Sequence, residues 1–191
     1  MSTSSFNTAH SFTAKWEGGL TDHPADPGGL TNYGVSLRWL RSLGQDSGDI
    51  DGSGDIDAND IRALTPAQAA ALFCDKFWRP NRLDSLPGVI AVAVYDFMVN
   101  AGPGQAIREL QRACNMLVTQ GLPLVVDGVL GPKTRTLVGN CASASLFAAY
   151  QERRTRFYTE LSRSKPELAV FLRGWLKRTQ DLGSYVQALL F

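Results

Sequence analysis

Along most of the 191-residue chain, apolar residues recur every three or four positions, the period of a helix buried on one face. Phe6, Ala9, Phe12 and Trp16 predict a short first helix that stops at Gly18-Gly19, because glycine takes a positive φ at little cost. The period then breaks. Asp26-Pro27-Gly28-Gly29 is turn chemistry, and the flanking segments Leu20-Thr21 and Leu30-Thr31-Asn32-Tyr33 predict a small hairpin. Ser36 stands where it can cap a short helix carrying Leu37, Trp39, Leu40 and Leu43. Thr65-Pro66-Ala67-Gln68 combines an N-cap, a proline at the first helical position and a capping-box glutamine, so it opens a helix through Ala70, Phe73 and Phe77. Further helices are predicted over residues 87–100, 105–119, 133–138, 142–164 and 166–188, punctuated by Gly102-Pro103-Gly104 and Gly121-Leu122-Pro123. The pattern is that of a mainly α protein with one small β-hairpin. Neither an internal repeat nor a low-complexity linker divides it.

The length and the 44% apolar content suffice for a self-supporting core, and no apolar run reaches the roughly 18 residues of a membrane-spanning helix. The first 14 residues lack the basic start and apolar stretch of a signal peptide, which implies a chain made and kept in a cytoplasm unless something releases it. Cys74, Cys114 and Cys141 are too few and too scattered for a zinc site or a disulfide framework, and read as free thiols. The net charge of +1 conceals two different regions. Residues 46–60 hold Asp46, Asp49, Asp51, Asp55, Asp57 and Asp60 and no cation; without these six, 19 basic residues face 12 acidic ones, or +7. From Pro103 onward 12 basic residues face six acidic ones. That excess suits a polyanionic partner, yet no nucleic-acid-binding motif accompanies it.

Candidate chemistry concentrates in Trp16-Glu17-Gly18-Gly19-Leu20, Asp22, Asp26 and the segment from Thr31 to Val35. Glu17 falls in the last turn of the predicted first helix, beside Trp16. There the helix dipole and apolar surface both disfavour its ionised form, so it is suited to be a general acid. Asp26, in a glycine-rich turn open to water, is expected to stay ionised. Two carboxyls driven toward opposite protonation states are what glycoside hydrolysis requires, although by spacing alone Asp26 is equally a solvated turn residue.

The segment Glu17-Gly-Gly-Leu-x-Asp22-x-x-x-Asp26-Pro-Gly-Gly-x-Thr31-x-Tyr33-Gly-Val closely resembles the signature of glycoside hydrolase family 108, the phage endolysin and N-acetylmuramidase family. Leu20 replaces a residue that is usually aromatic there. The runs from Val94 to Gly104, Leu110 to Ala113, Val126 to Thr134 and Phe171 to Leu176 resemble the predicted peptidoglycan-binding region that accompanies such enzymes. The resemblance implies a single lysozyme-like domain over 1–191. Its catalytic lobe would span 1–85, with an insertion at 46–62, and its helical lobe 86–191. It also implies hydrolysis of the β-1,4 bond between N-acetylmuramic acid and N-acetylglucosamine in peptidoglycan. Glu17 would protonate the leaving oxygen. Asp26 would activate water or stabilise the oxocarbenium-like transition state, with Thr31 holding that water and Asp22 competing for the second carboxylate's role. Tyr33, Trp78 and Asn100 are read as sugar contacts, with core packing and helix capping as alternatives. The enzyme would act as a monomer in the periplasm after release through a holin-type lesion. Its last helix, with Phe171, Trp175, Leu182, Val186, Leu189 and Leu190 among Arg173, Lys177 and Arg178, either docks on the core or contacts an outer membrane.

The acidic insertion reads as a twelve-residue EF-hand-like calcium loop. Asp49, Asp51, Ser53, the Asp55 carbonyl, Asp57 and Asp60 occupy the oxygen-ligand positions, with Gly54 at the sharp turn and Ile56 at the apolar anchor. Aspartate in the last position is shorter than the usual glutamate. Calcium is therefore the expected cofactor, ordering the connection near the proposed site. Two other classes stay open: a non-catalytic peptidoglycan-binding or secretion-activating protein, and a calcium-dependent interaction module of the dockerin kind.

Overall fold

The computed structural model describes residues 3–21 and 29–190, with side chains over 5–21 and 29–189. As the spacing predicts, the fold is mainly α with one two-stranded antiparallel hairpin. It divides into two compact units, Thr13–Lys76 and the remainder. Helix α1 (Thr3–Glu17) begins in the larger unit and ends in the smaller, terminated by Gly18 at φ +72°.

In the smaller unit, β1 (Thr31–Asn32) pairs with β2 (Val35–Ser36), Thr31 opposite Ser36 and Asn32 opposite Val35. The sequence favours pairing of residues 30–33 with Leu20-Thr21, but that contact is a single bridge in which Thr21 and Thr31 exchange N–H···O bonds of 2.8 and 2.9 Å. The hairpin closes instead through Tyr33 and Gly34, whose φ values of +49° and +80° form the two-residue turn that matches strand twist. The hydroxyl of Ser36 accepts the Trp39 N–H at 3.2 Å and opens α2 (Leu37–Ser42). The helices α3 (Gln45–Gly48) and α4 (Ala58–Ala63) flank the acidic loop. The capping box at Thr65 and Gln68 opens α5 (Pro66–Phe73). Beyond Phe73 the coil widens into a π turn over Cys74–Trp78, so Trp78 rather than Phe77 reaches the buried face.

The larger unit is built on α6 (Gly88–Ala101), buried on all sides from Ile90 to Met98. Packed on it are α7 (Pro103–Leu117) and α9 (Ser143–Ser164), and α10 (Leu172–Leu190) packs on α9 and α6. Between α7 and α9 in the chain lies α8 (Pro132–Asn140). The segment expected to be helical from residue 166 starts as a 3-10 turn, Pro166–Phe171. The first turns of α1 join this core: Phe6 meets Trp78 and Tyr95 edge-on, His10 shares a 2.8 Å hydrogen bond with the Tyr95 hydroxyl, and Tyr185 of α10 donates to the Thr8 carbonyl at 2.7 Å. Cys114 and Cys141 are neighbouring free thiols; burial, then the second thiol, pushes Cys114 up to about 12.

Two buried acids consume much of the positive charge after Pro103. Asp96 receives Arg178 through Nε and Nη2 at 3.0 and 2.6 Å, and Arg154 at 2.7 Å. The Arg154 guanidinium is fully buried over the rings of Phe97 and Tyr158. Glu109 takes Arg153 at 2.8 Å and also pairs with Arg112. Arg178, one of the cations of the proposed membrane-facing helix, therefore turns inward, and Leu182 and Val186 dock beside it in the core. Among the described residues no helix is long and apolar enough to cross a membrane.

Burial pushes the pKa of Asp96 up, but Arg154 and then Arg178 more than offset this, and the net value is lowered. Stability from such a group is fully present above the unfolded carboxylate value of about 3.9 and is lost as pH falls toward the depressed folded value. Asp96→Asn leaves two buried cations uncompensated, at a cost of about 3–5 kcal/mol. The expected fall in Tm is roughly 6–20 °C at neutral pH. Calorimetry down the pH scale checks this: the gap between variant and wild type should narrow below about pH 4, and a gap independent of pH would contradict it.

Candidate active site

Glu17 is the last residue of α1, half-buried, with Gly18 turning the chain away behind it. The turn of the hairpin lies against its side chain. A Cβ placed on Gly34 would stand 2.8 Å from Cβ and Cγ of Glu17 and 3.0 Å from its Oε2. Only glycine fits both this contact and the positive φ, so the Glu17 carboxyl is held by backbone passing where any side chain would displace it. The hairpin is itself anchored. Asn32 is buried, and its Nδ2 donates at 3.0 Å to the carbonyl of Ile61 on α4. Thr31 is bridged to Thr21 on one side and paired with Ser36 on the other, and its hydroxyl donates to the Gly29 carbonyl at 3.1 Å.

Of the residues expected at the site, Glu17, Thr31 and Tyr33 thus share the smaller unit, with Tyr33 half-exposed on the hairpin turn. Asp22 and Asp26 lie outside the described residues. Trp78 and Asn100 belong to the larger unit. Trp78 is only 2% exposed and its ring is enclosed edge-on by Phe6 and Tyr95, so it serves the core and offers no face to a sugar. Asn100 is exposed, accepts a short hydrogen bond from the Tyr158 hydroxyl through Oδ1, and does not cap α6, which ends at Gly102 with φ +85°. Asn32 escapes a motif reading, and Gly34, though part of the signature, gets its role only from what packs against it.

The acidic loop is closed by its own carboxylates. Asp49 accepts the Ser53 and Gly54 N–H groups at 3.0 Å, and Asp60 accepts those of Ile50 and Asp57 at 2.6 and 2.7 Å. Asp60 is fully buried; burial raises its pKa, and the N–H groups of Asp57, Ile50 and Asp51 bring it below the ordinary value. The anchor residue Ile56 sits on Gly48, where an added Cβ would meet its Cδ1 at 2.6 Å. Carboxylate oxygens of Asp49, Asp51 and Asp60 lie within 4.8 Å of one another, and so do those of Asp55, Asp57 and Asp60. For metal–oxygen distances of about 2.3–2.6 Å, these oxygens are close enough to share one hard cation, and Asp60 is common to both sets. Ser53 Oγ donates to Asp55 at 2.9 Å.

Residues 10–102 match the model of the family described as glycosyl hydrolase 108, and residues 105–180 that described as a predicted peptidoglycan domain. The chain thus carries a glycosyl hydrolase 108 domain followed by a predicted peptidoglycan domain. No curated protein matches it. Among solved structures, that of Brucella abortus SagA is 26% identical with a TM-score of 0.77, over 98% of this chain and 96% of that one. The glycosyl hydrolase 108 match contains Glu17, the hairpin and the acidic loop, and with the domain that follows it makes this a peptidoglycan-degrading glycosidase of the lysozyme type. In such an enzyme the hairpin contact is a direct test of Glu17. Gly34→Ala should reduce turnover of peptidoglycan about 100-fold, the cost of roughly an ångström of misplacement. Strain at a left-handed position should cost only about 1–2 kcal/mol of stability. Wild-type turnover in a folded Gly34→Ala protein would contradict the packing argument.

Proposed function

We propose that the chain is an N-acetylmuramidase that cuts the β-1,4 bond between N-acetylmuramic acid and N-acetylglucosamine, with Glu17 as the general acid. The observation that carries this reading is the contact between Gly34 and Glu17, which fixes a half-buried carboxyl at the end of α1 in the unit that bears the family signature. Glu17 protonates the leaving glycosidic oxygen. Asp26 supplies the second charge, as base toward water or as stabiliser of the oxocarbenium-like transition state, and Thr31 orients that water. Asp26 is preferred to Asp22 because the order Glu17, eight residues, Asp26, a few residues, Thr31 resembles the catalytic triad of phage-type lysozymes, with one fewer residue before the threonine here. Tyr33, at the hairpin turn, remains the candidate sugar contact.

In this proposal the enzyme is an endolysin that reaches the periplasmic wall after release through a membrane lesion. Calcium is its structural ion. Asp49, Asp51, Ser53, Asp55, Asp57 and Asp60 would hold it, and its charge would relieve the repulsion among clustered carboxylates. The path from that loop to Glu17 is short. The loop leads into α4, Ile61 of α4 accepts from Asn32, and Asn32 carries the turn that packs on the acid.

Glu17→Gln should fold with an unchanged Tm and lose about 100- to 10,000-fold of its wall-lysing rate in a turbidity assay, the range that removal of a general acid costs. A folded Glu17→Gln protein with wild-type lysis would overturn the assignment. Calcium at about 100 times its Kd should add about 2.7 kcal/mol of stability, read as a Tm several degrees higher than in chelator. Asp49→Ala should abolish that difference, and an unchanged wild-type Tm on chelation would remove calcium from the account.

A further inference from the structure

The larger unit carries a groove lined by none of the residues assigned to glycosidic chemistry. It has a volume of about 970 Å³ and runs between the irregular segment 118–131 and α8. Leu122, Val125 and Val129 stand in its wall at 93%, 79% and 61% exposure. A surface segment with such side chains ordinarily turns them inward, and a contiguous apolar wall left in water marks a contact surface.

This wall is held rigidly outward. Gln111 of α7 donates through Nε2 to Asp127 Oδ1 at 2.7 Å, to the Val129 carbonyl at 3.1 Å and to Thr134 of α8 at 3.2 Å, while its Oε1 accepts the Gly128 N–H at 2.9 Å. Asn115 brackets Leu124 in the same way, donating to its carbonyl at 2.9 Å and accepting its N–H at 2.7 Å. At Gly128, φ is +80° and a Cβ would lie 2.9 Å from the Gly104 carbonyl oxygen, so the segment passes directly over the start of α7. The other wall, α8, is tied by Arg135 to the carbonyls of Asn81 and Arg82 at 2.8 and 3.1 Å. A buried amide, a half-buried one and a glycine thus fix aliphatic side chains in solvent, an arrangement that gains nothing for the fold itself.

The chemistry of the lining selects between the two components of peptidoglycan. A glycan strand is gripped by aromatic rings stacked on sugar faces, and none of the 18 aromatic residues falls between Phe97 and Phe147. The stem peptides, by contrast, are short, rich in alanine methyl groups, and carry both carboxylates and an amine. Beside the aliphatic wall the groove presents one carboxylate, Asp127, and one ammonium, Lys133. Asp127 is held in place by Gln111 and by the Val129 N–H at 2.8 Å, which together keep its carboxyl below the usual range and therefore ionised.

We propose that this groove binds the stem peptide of peptidoglycan, with alanine methyl groups against Leu122, Val125 and Val129 and the peptide's opposite charges facing Asp127 and Lys133. The proposal rests on the reading that the chain acts on peptidoglycan, and its test is a binding measurement that needs no catalysis. The full chain carrying Glu17→Gln is sedimented with intact sacculi and with sacculi stripped of their peptides by an amidase, and is titrated by NMR with a synthetic alanine–glutamate–diaminopimelate–alanine stem tetrapeptide. Retention on intact sacculi should be at least tenfold greater than on stripped glycan, and the tetrapeptide should shift resonances of residues 122–137. Val125→Asp, at an exposed site, should weaken both signals at least tenfold with an unchanged Tm, and Lys133→Glu serves in its place if that variant is unstable. Equal retention on both sacculi, or tetrapeptide shifts confined to residues outside the groove, would overturn the proposal. Loss of the enzymatic reading would show separately, as wild-type protein that leaves the glycan uncut.

Discussion

The Asp96 carboxylate sits where α6, α9 and α10 converge, with two guanidinium groups closed upon it, and the larger unit is built outward from that contact. A single buried acid facing two cations is costly to form and costlier to break, so it restricts how those three helices can pack. The helix α7 lies on α6 and α9 within this frame and carries Gln111 and Asn115, the two amides that pin segment 118–131. The first turns of α1 are fixed in the same unit by Phe6, His10 and the Thr8 carbonyl, and that helix ends at Glu17. Within the larger unit the frame therefore reaches the groove through α7.

In the smaller unit the governing constraint is an absent side chain. Gly34 lets the hairpin turn close on Glu17, and Asn32 fastens the same hairpin to α4. The acidic loop precedes α4 directly, which places a charge-rich, cation-compatible segment one hydrogen bond from the hairpin that holds the acid. A lysozyme-type hydrolase needs a carboxyl whose position does not wander, and in the proposal that Glu17 is that carboxyl the backbone packing at Gly34 supplies the rigidity.

Much of this was legible in the sequence, and the reasons are local. Ser36, the Thr65/Gln68 pair and Gly18 announce helix ends because capping is a matter of a few adjacent residues. The clustering of carboxylates in the acidic loop is legible because its aspartates recur at fixed spacing along one short segment. What escaped detection depended on distant partners. Trp78 reads as a sugar contact, with core packing as the alternative, until Phe6 and Tyr95 are seen around it. Arg178 and Arg154 count as surface charge until Asp96, far away in the chain, turns them inward. The expected pairing of Thr21 with Thr31 is present as one bridge, while the second hairpin strand, Val35–Ser36, depends on positive φ values at Tyr33 and Gly34 that the spacing does not announce. Asn32 carries no motif at all, and its importance is visible only once Ile61 is beside it.

The central claim is that this chain hydrolyses the glycan on the reducing side of N-acetylmuramic acid, with Glu17 as acid. Mass spectrometry of the fragments released from purified sacculi tests it most directly. The account predicts fragments ending in a free reducing N-acetylmuramic acid. Fragments ending in reducing N-acetylglucosamine, or in the 1,6-anhydro sugar left by a transglycosylase, would contradict it.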